Sequence, residues 1–316
     1  MDTGVFVPLL LPFIAWPLAR MVTTSAGPRT GVWLLTIAAL ALAGGSTAAL
    51  CVLAFAGLSL VPAVAQFGEW SPQTLRGMEI ATVPVEALSG ILVVAIAIAV
   101  VTGLVRHGRW LRGAVRDVGG LPAHTGLVVL PDAEPLAFEL PGRGGRIVVS
   151  RSMLGVLTGA EQRALLIHER VHLRCRHHLF LSAVSVAARL NPLLRPLRST
   201  VVFLVERWAD EATSESLGDR RVVASAVAKA ALATRTPVTF APAATAGPVP
   251  RRVEALLHPA APRANWRLAA VFAAALTIAV TAWSAQASIE AAAELHNGIE
   301  IASVEHHHHH QHRRIA

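Results

Sequence analysis

From Gly31 to Gly68 the sequence has no charged residue, and that stretch decides what surroundings the chain can fold in. Roughly 20 apolar residues in a helix cross the hydrocarbon of a bilayer. One span takes residues 31–55, and the remainder, with Pro62, forms an outer loop. Gly44-Gly45 offers a second division into two short helices. Two further runs behave alike. Residues 4–20 are apolar up to Arg20 but hold Pro8, Pro12 and Pro17; the run is short for a span, and Arg20 can extend to the interface. Residues 81–105 form the third, between Glu79 and Arg106. Composition agrees, with 53% hydrophobic and 15% charged residues, outside the range of soluble domains. Residues 1–117 therefore read as three transmembrane helices.

Arg106, Arg109, Arg112 and Arg116 follow the third run at once. Such a cluster at a membrane exit marks the cytoplasmic side. The formal net charge of +8 can suit nucleic acid, but arginines beside apolar runs suit anionic lipid better, and no direct nucleic-acid binding is expected. Arg251, Arg252, Arg263 and Arg267 precede another apolar run, a fourth span at 267–287. The segment between, 118–235, is then cytoplasmic and 288–316 is outside. Residues 236–266, rich in Ala, Pro and Thr at their start, read as a linker. Asp2 and the lack of an N-terminal cation argue against a secretory signal peptide. Cys51 and Cys175 are too few for a disulfide framework.

Within 118–235 the pattern changes. Leu127–Leu130 and Arg146–Ser150 are short β-branched runs that read as strands, and Pro141–Gly145 reads as a hairpin turn. Thr158-Gly-Ala-Glu161 is a capping box that starts a helix. That helix carries His168-Glu169-Arg170-Val171-His172. Positions i and i+4 share a helix face, so both imidazoles point the same way, as half of a tetrahedral Zn2+ site. Glu169 stands where a general base must, to take a proton from an attacking water. His177 and His178 read as the helix end, where polar groups suit the dipole.

A third protein ligand is needed. Pro192 and Pro196 allow the chain to turn back as an αα-hairpin. Glu206 and Asp210, again i and i+4, then face the motif. Glu206 is the expected ligand and Asp210 the group that orients a ligand histidine. Asp210 or Glu211 as the ligand, and Cys175 as a fourth, are alternatives that spacing leaves open.

Taken together, His168-Glu-Arg-Val-His172 and Glu206-Arg-Trp-Ala-Asp210-Glu-Ala resemble the HExxH…ExxxD pattern of membrane-bound zinc metallopeptidases. Two groups share it: the BlaR/MecR-type signal-transducing peptidases, and the HtpX and CAAX-prenyl-protease group. Pro135-Leu-Ala-Phe138 and Gly145–Leu154 are similar to the BlaR/MecR peptidase domain, as is the order of three spans before the motif and one after. The resemblance covers about residues 120–235. It implies an α-helical integral membrane protein, with an α+β zincin-like metallopeptidase domain inserted between the third and fourth transmembrane helices. It implies zinc on His168, His172 and Glu206, Glu169 as base and Asp210 in support. The implied substrate is a protein or peptide, either a cytoplasmic transcriptional repressor or the chain itself. The HtpX group would imply membrane-protein quality control instead. A catalytically idle, metal-responsive transducer is the alternative from another class. The tail has no room for the sensor domain of antibiotic-sensing BlaR/MecR members. Its histidines, His306–His310 and His312, suit either a metal-binding tract or an inert one.

Overall fold

The computed structural model describes residues 6–68, 82–119, 126–131, 134–142, 144–234 and 248–258, with isolated helical positions further on. The expected fourth span, 267–287, is described only at such positions, among them Val271 and Ile278. The His-rich tail and the acidic loop with Glu69 and Glu79 lie outside the described residues.

Among the described residues, three helices are long and apolar enough to cross a membrane. Helix α1, Val7–Ser25, is 3-10 over Leu11–Ile14, around Pro12, while Pro8 and Pro17 sit in the first turns of the α-helical stretches on either side. Helix α2, Pro28–Ser59, runs unbroken through Gly44-Gly45, so the division into two short helices does not occur. A short α3 follows, Pro62–Gly68. Helix α4, Val83–Gly119, passes its apolar part and continues through the arginine cluster into the domain beyond. Small residues let these helices approach. A Cβ on Gly57 of α2 would stand 2.7 Å from the Glu86 side chain of α4.

The sheet has the order β1-β3-β2. β1, Leu127–Leu130, lies parallel to β3, Arg146–Ser150, which lies antiparallel to β2, Ala137–Leu140. The Pro141–Gly145 turn thus joins β2 to β3, and β2 is an edge strand that periodicity alone did not mark. Central β3 is buried on both faces. One face, with Val128, Leu140 and Val148, packs on Val118 at the end of α4. Arg146 Nη1 donates to the Val118 carbonyl, 3.1 Å, and closes the α4 terminus. The other face, with Ile147 and Val149, packs on Met153, Leu157 and Leu165. Each large side chain buried there is worth roughly 1.5–3 kcal/mol.

After a short α5, Arg151–Gly155, helix α6 spans Gly159–Arg174. Its capping box is present: the Thr158 amide donates to Glu161 Oε2, 2.8 Å, and the Glu161 amide to Thr158 Oγ1, 3.4 Å. The helix stops earlier than expected. Arg176 takes a left-handed conformation, φ 52, and α7, His177–Leu190, starts behind it. His177 and His178 therefore open a new helix rather than close the motif helix. A 3-10 turn at Pro192–Leu194 leads into α8, Arg195–Leu217, with Pro196 in its first turn, where no amide is missed. Gly218, φ 71, ends α8, and α9 spans Arg220–Ala233.

The α7–α8 hairpin shares its core with α1 and α2. Val184, Ala187, Leu194, Leu197, Val201 and Leu204 pack with residues of both apolar helices. Phe180 meets Trp33 edge-on, centroids 4.8 Å apart. At the hairpin tip Asn191 Nδ2 donates to Ser46 Oγ, 3.1 Å. The expected linker 236–266 is corrected in part. Pro248–Leu257 is a helix, α10, because its two prolines sit in the first turn and Val253 and Leu256 pack on α9.

Glu161 also ties α6 to α9. It accepts from Ser225 Oγ, 2.6 Å, and Lys229 Nζ, 2.9 Å. Burial raises its pKa, but Lys229, Ser225 and Thr158 outweigh that and hold it at about 2. The folded state thus binds this proton more weakly than the unfolded state does. Its stabilisation is complete above about pH 4.5 and is lost as pH falls toward about 2. Thermal melts between pH 5 and 2 should fall steeply, and less steeply for Lys229→Met. An equal slope in the variant would place the acid-sensitive group elsewhere.

Candidate metal centre

His168 and His172 lie on one face of α6, as spacing requires, and α8 brings Glu206 to them. The ligand atoms of these three side chains lie within 4.8 Å of one another. The two Nε2 atoms are 3.1 Å apart. Glu206 Oε2 is 3.6 Å from His168 Nε2, and Oε1 is 3.7 Å from His172 Nε2. Tetrahedral ligands about 2.1 Å from an ion stand roughly 3.4 Å from each other, so the donor set fits a metal. Cys175 caps α6 and is not in this group. Glu211 pairs with Arg207 and Arg220 instead.

Asp210 sits one turn beyond Glu206. Its Oδ1 is 3.2 Å from His168 Nδ1, a charge contact without hydrogen-bond alignment. Sequence reasoning missed what holds Asp210 itself. Arg252 of α10 donates to both its oxygens, from Nε and Nη2, each at 2.7 Å. Its Nη1 is 2.9 Å from Glu206 Oε2. The signal is present in the sequence: two acids on a buried helix face need a cation, although the position of Arg252 before an apolar run suggests only membrane-flanking charge.

His177 is the second missed residue. It is fully buried, with Nδ1 3.0 Å from His172 Nδ1. With His172 Nε2 turned to a metal, His172 Nδ1 carries the proton and donates to His177. The His177 ring packs on Trp208, centroids 4.7 Å apart.

The electrostatics follow from burial and these pairings. Burial disfavours charge on His168, but Asp210 and Glu206 outweigh it and push its pKa up to about 10. Burial, then the charge on His168, lowers His172 to about 3. Burial also lowers His177, to about 4. Glu206 is held far below the carboxylate range: burial opposes this, but His168 and Arg252 prevail. Glu169, one residue past the first ligand, is buried, and burial lifts its carboxyl to about 7. A group near neutrality can accept and return a proton.

A cavity of about 330 Å³ opens onto His168, Glu169, Glu206 and Arg252. Its other walls are mostly apolar, among them Ala137 of β2, Met153, Leu165, and Val223, Val227 and Ala230 of α9. Two histidines and a carboxylate around one point, with a further buried carboxylate beside them, make the site of a metal-dependent hydrolase. Residues 112–195 match the model of peptidase family M48, which is metal-dependent, and the match indicates a metallopeptidase. The matched segment holds the end of α4, the sheet, α6 and α7. It includes His168, Glu169 and His172 and stops short of Glu206, Asp210 and Arg252. No curated protein and no solved structure matches the chain.

Proposed function

We propose that this protein is a membrane-embedded zinc endopeptidase whose site lies at the cytoplasmic surface of the bilayer. The observation that carries the proposal is the convergence of His168, His172 and Glu206 beside Glu169, in a cavity that β2 borders. Zinc on those three side chains would polarise a peptide carbonyl and activate water. Glu169 takes the proton from the attacking water and returns it to the leaving amine. Arg252 and Asp210 hold the ligands in place. The outer edge of β2, unpaired among the described residues, accepts an extended peptide by strand addition, and the apolar walls beside Ala137 receive a side chain next to the scissile bond. A folded substrate must therefore present an extended segment.

Levels along the helices support the placement in the bilayer. From the Gly57–Glu86 contact, Trp33 lies twenty-four residues back along α2 and Trp110 twenty-four residues forward along α4. Both are about half exposed, as interfacial tryptophans are. Twenty-four residues of helix are about 36 Å, enough for a hydrocarbon core and part of the headgroups. The hairpin tip at Ser46 then lies about 20 Å beyond Trp33, so α7 and α8 enter the bilayer beside α1 and α2. The metal ligands sit at its surface.

For biological role, the order of spans favours a signal-transducing peptidase that cleaves a cytoplasmic repressor or its own chain. Membrane-protein quality control fits the same site and family match equally well. Comparing cellular proteomes with active and Glu169→Gln protein decides between them. A single cleaved cytoplasmic repressor supports signalling, and many accumulating membrane proteins support quality control. Topology is tested separately. Reporter fusions after Gly120 should report cytoplasm and those after Ser288 the outside. An external signal at Gly120 would overturn both the span count and a cytoplasmic substrate.

A further inference from the structure

On the side of α6 away from the metal ligands lies a second cavity, of about 620 Å³. Arg170 and Arg174 reach it from α6, Arg176 from the α6–α7 junction and His178 from the first turn of α7. The glycine-rich turn at Gly142, Gly144 and Gly145 forms the opposite wall. Among the described residues, no carboxylate lines it. Among the described residues, none of the three arginines makes an ion pair, unlike Arg207, Arg220 and Arg252. Arg170 and Arg174 are i and i+4 on one helix, a like-charge arrangement that costs stability.

Two further observations single the cavity out. Arg176 is the one non-glycine residue with positive φ among those described. Strain of this kind persists where function requires it, and glycine would fit the turn at less cost. His178 Nδ1 is buried without a hydrogen-bond partner. Burial, then the Arg176 charge, lowers the His178 pKa. Three guanidiniums and an imidazole around one cavity suit a phosphate group, which arginine binds through paired N–H donors.

Location selects the source of that phosphate. Leu179, 54% exposed, borders the cavity, and its neighbour Phe180 packs on Trp33, at the level taken above as the membrane surface. Pro141, Leu173 and Leu179 give the cavity an apolar side where a lipid glycerol and the start of its chains would lie. We propose that this cavity binds the phosphate of an anionic membrane lipid, with Arg170, Arg174 and Arg176 as its ligands. The inference rests on the placement of the site at the bilayer surface.

The test uses full-length protein in detergent micelles, with bound lipid counted by native mass spectrometry. The wild type should retain one phosphatidylglycerol at least about tenfold more tightly than phosphatidylcholine. Arg170→Gln/Arg174→Gln/Arg176→Gln should lose that preference. Arg106→Gln/Arg109→Gln/Arg112→Gln, with the same charge removed from α4, should keep it. Arg176→Gly guards against misfolding: it should weaken retention while its melting temperature stays level or rises. Retention unchanged in the triple cavity variant overturns the proposal. So does inorganic phosphate bound at millimolar concentration without lipid preference, which would assign the cavity to a soluble phosphate. Substrate cleavage lost equally in phosphatidylcholine and phosphatidylglycerol membranes would assign it to an acidic substrate segment instead. Release of the protein from membranes by alkaline wash would refute the membrane placement itself, whatever the lipid count.

Discussion

Glu169→Gln should remove peptide-bond cleavage, by about 10²–10⁴ in rate, while metal content and melting temperature stay at wild-type values. The amide has the shape of the carboxylate and cannot take a proton. The three ligands are untouched, so the ion remains. Burial already disfavours charge at this position, so a neutral side chain does not harm the fold. The measurement is cleavage of a quenched peptide by protein loaded with metal, beside metal analysis and a thermal melt. His172→Ala and Glu206→Ala should fail differently, by losing metal first. Cleavage retained by metal-replete Glu169→Gln protein would sink the assignment of the base.

Arg252→Met should have the largest effect on stability, about 3–5 kcal/mol. Asp210 is 2% exposed and both its oxygens depend on Arg252. Removing the guanidinium leaves a buried carboxylate with only the His168 contact to offset it. Arg252→Lys should not restore it, because one ammonium cannot serve both oxygens of Asp210 and also Glu206. Asp210→Asn/Arg252→Met should recover part of the loss, since the stranded charge is then gone. Metal affinity should fall about 10- to 100-fold in Arg252→Met, as groups that orient ligands commonly show. Urea titration of the detergent-solubilised protein, with metal analysis, checks both. Wild-type stability and metal content in Arg252→Met would mean that α10 does not clamp the site.

What the sequence revealed depended on the range of each interaction. His168 and His172 are one turn apart, and Glu206 and Asp210 likewise, so helical periodicity alone put each pair on one face. The capping box at Thr158 and the stop at Gly218 are local too. That α8 would meet α6 needed only a chain reversal, which Pro192 announces. His177 and Arg252 were not legible in this way. The first depends on a left-handed arginine, a conformation that no residue preference suggests. The second acts across forty-two residues of sequence, within a stretch whose prolines imitate a linker. β2 was hidden because Ala-Phe-Glu-Leu is short and carries a charge. Only its register with β3 makes it a strand. Gly44-Gly45 does not break α2, as the one-span reading expects, since a helix packed on α1, α4 and the hairpin tolerates glycines that an isolated helix would not.

The shared core of α1, α2 and the α7–α8 hairpin has a consequence for heredity as well as for the bench. Leu194, Leu197 and Leu204 owe part of their cover to α1 and α2. A fragment cut at Gly120 would carry them into water as a bare apolar flank, and aggregation is its expected fate. By the same physics, catalytic half and anchor cannot be exchanged separately between proteins. A recombinant that kept His168 to Asp210 but took its first two helices from elsewhere would lose the surface that aligns Glu206 with the histidines. Selection must act on the anchor and the ligands as one unit, and a substitution at Ser46, far from any chemistry, is a change to the enzyme.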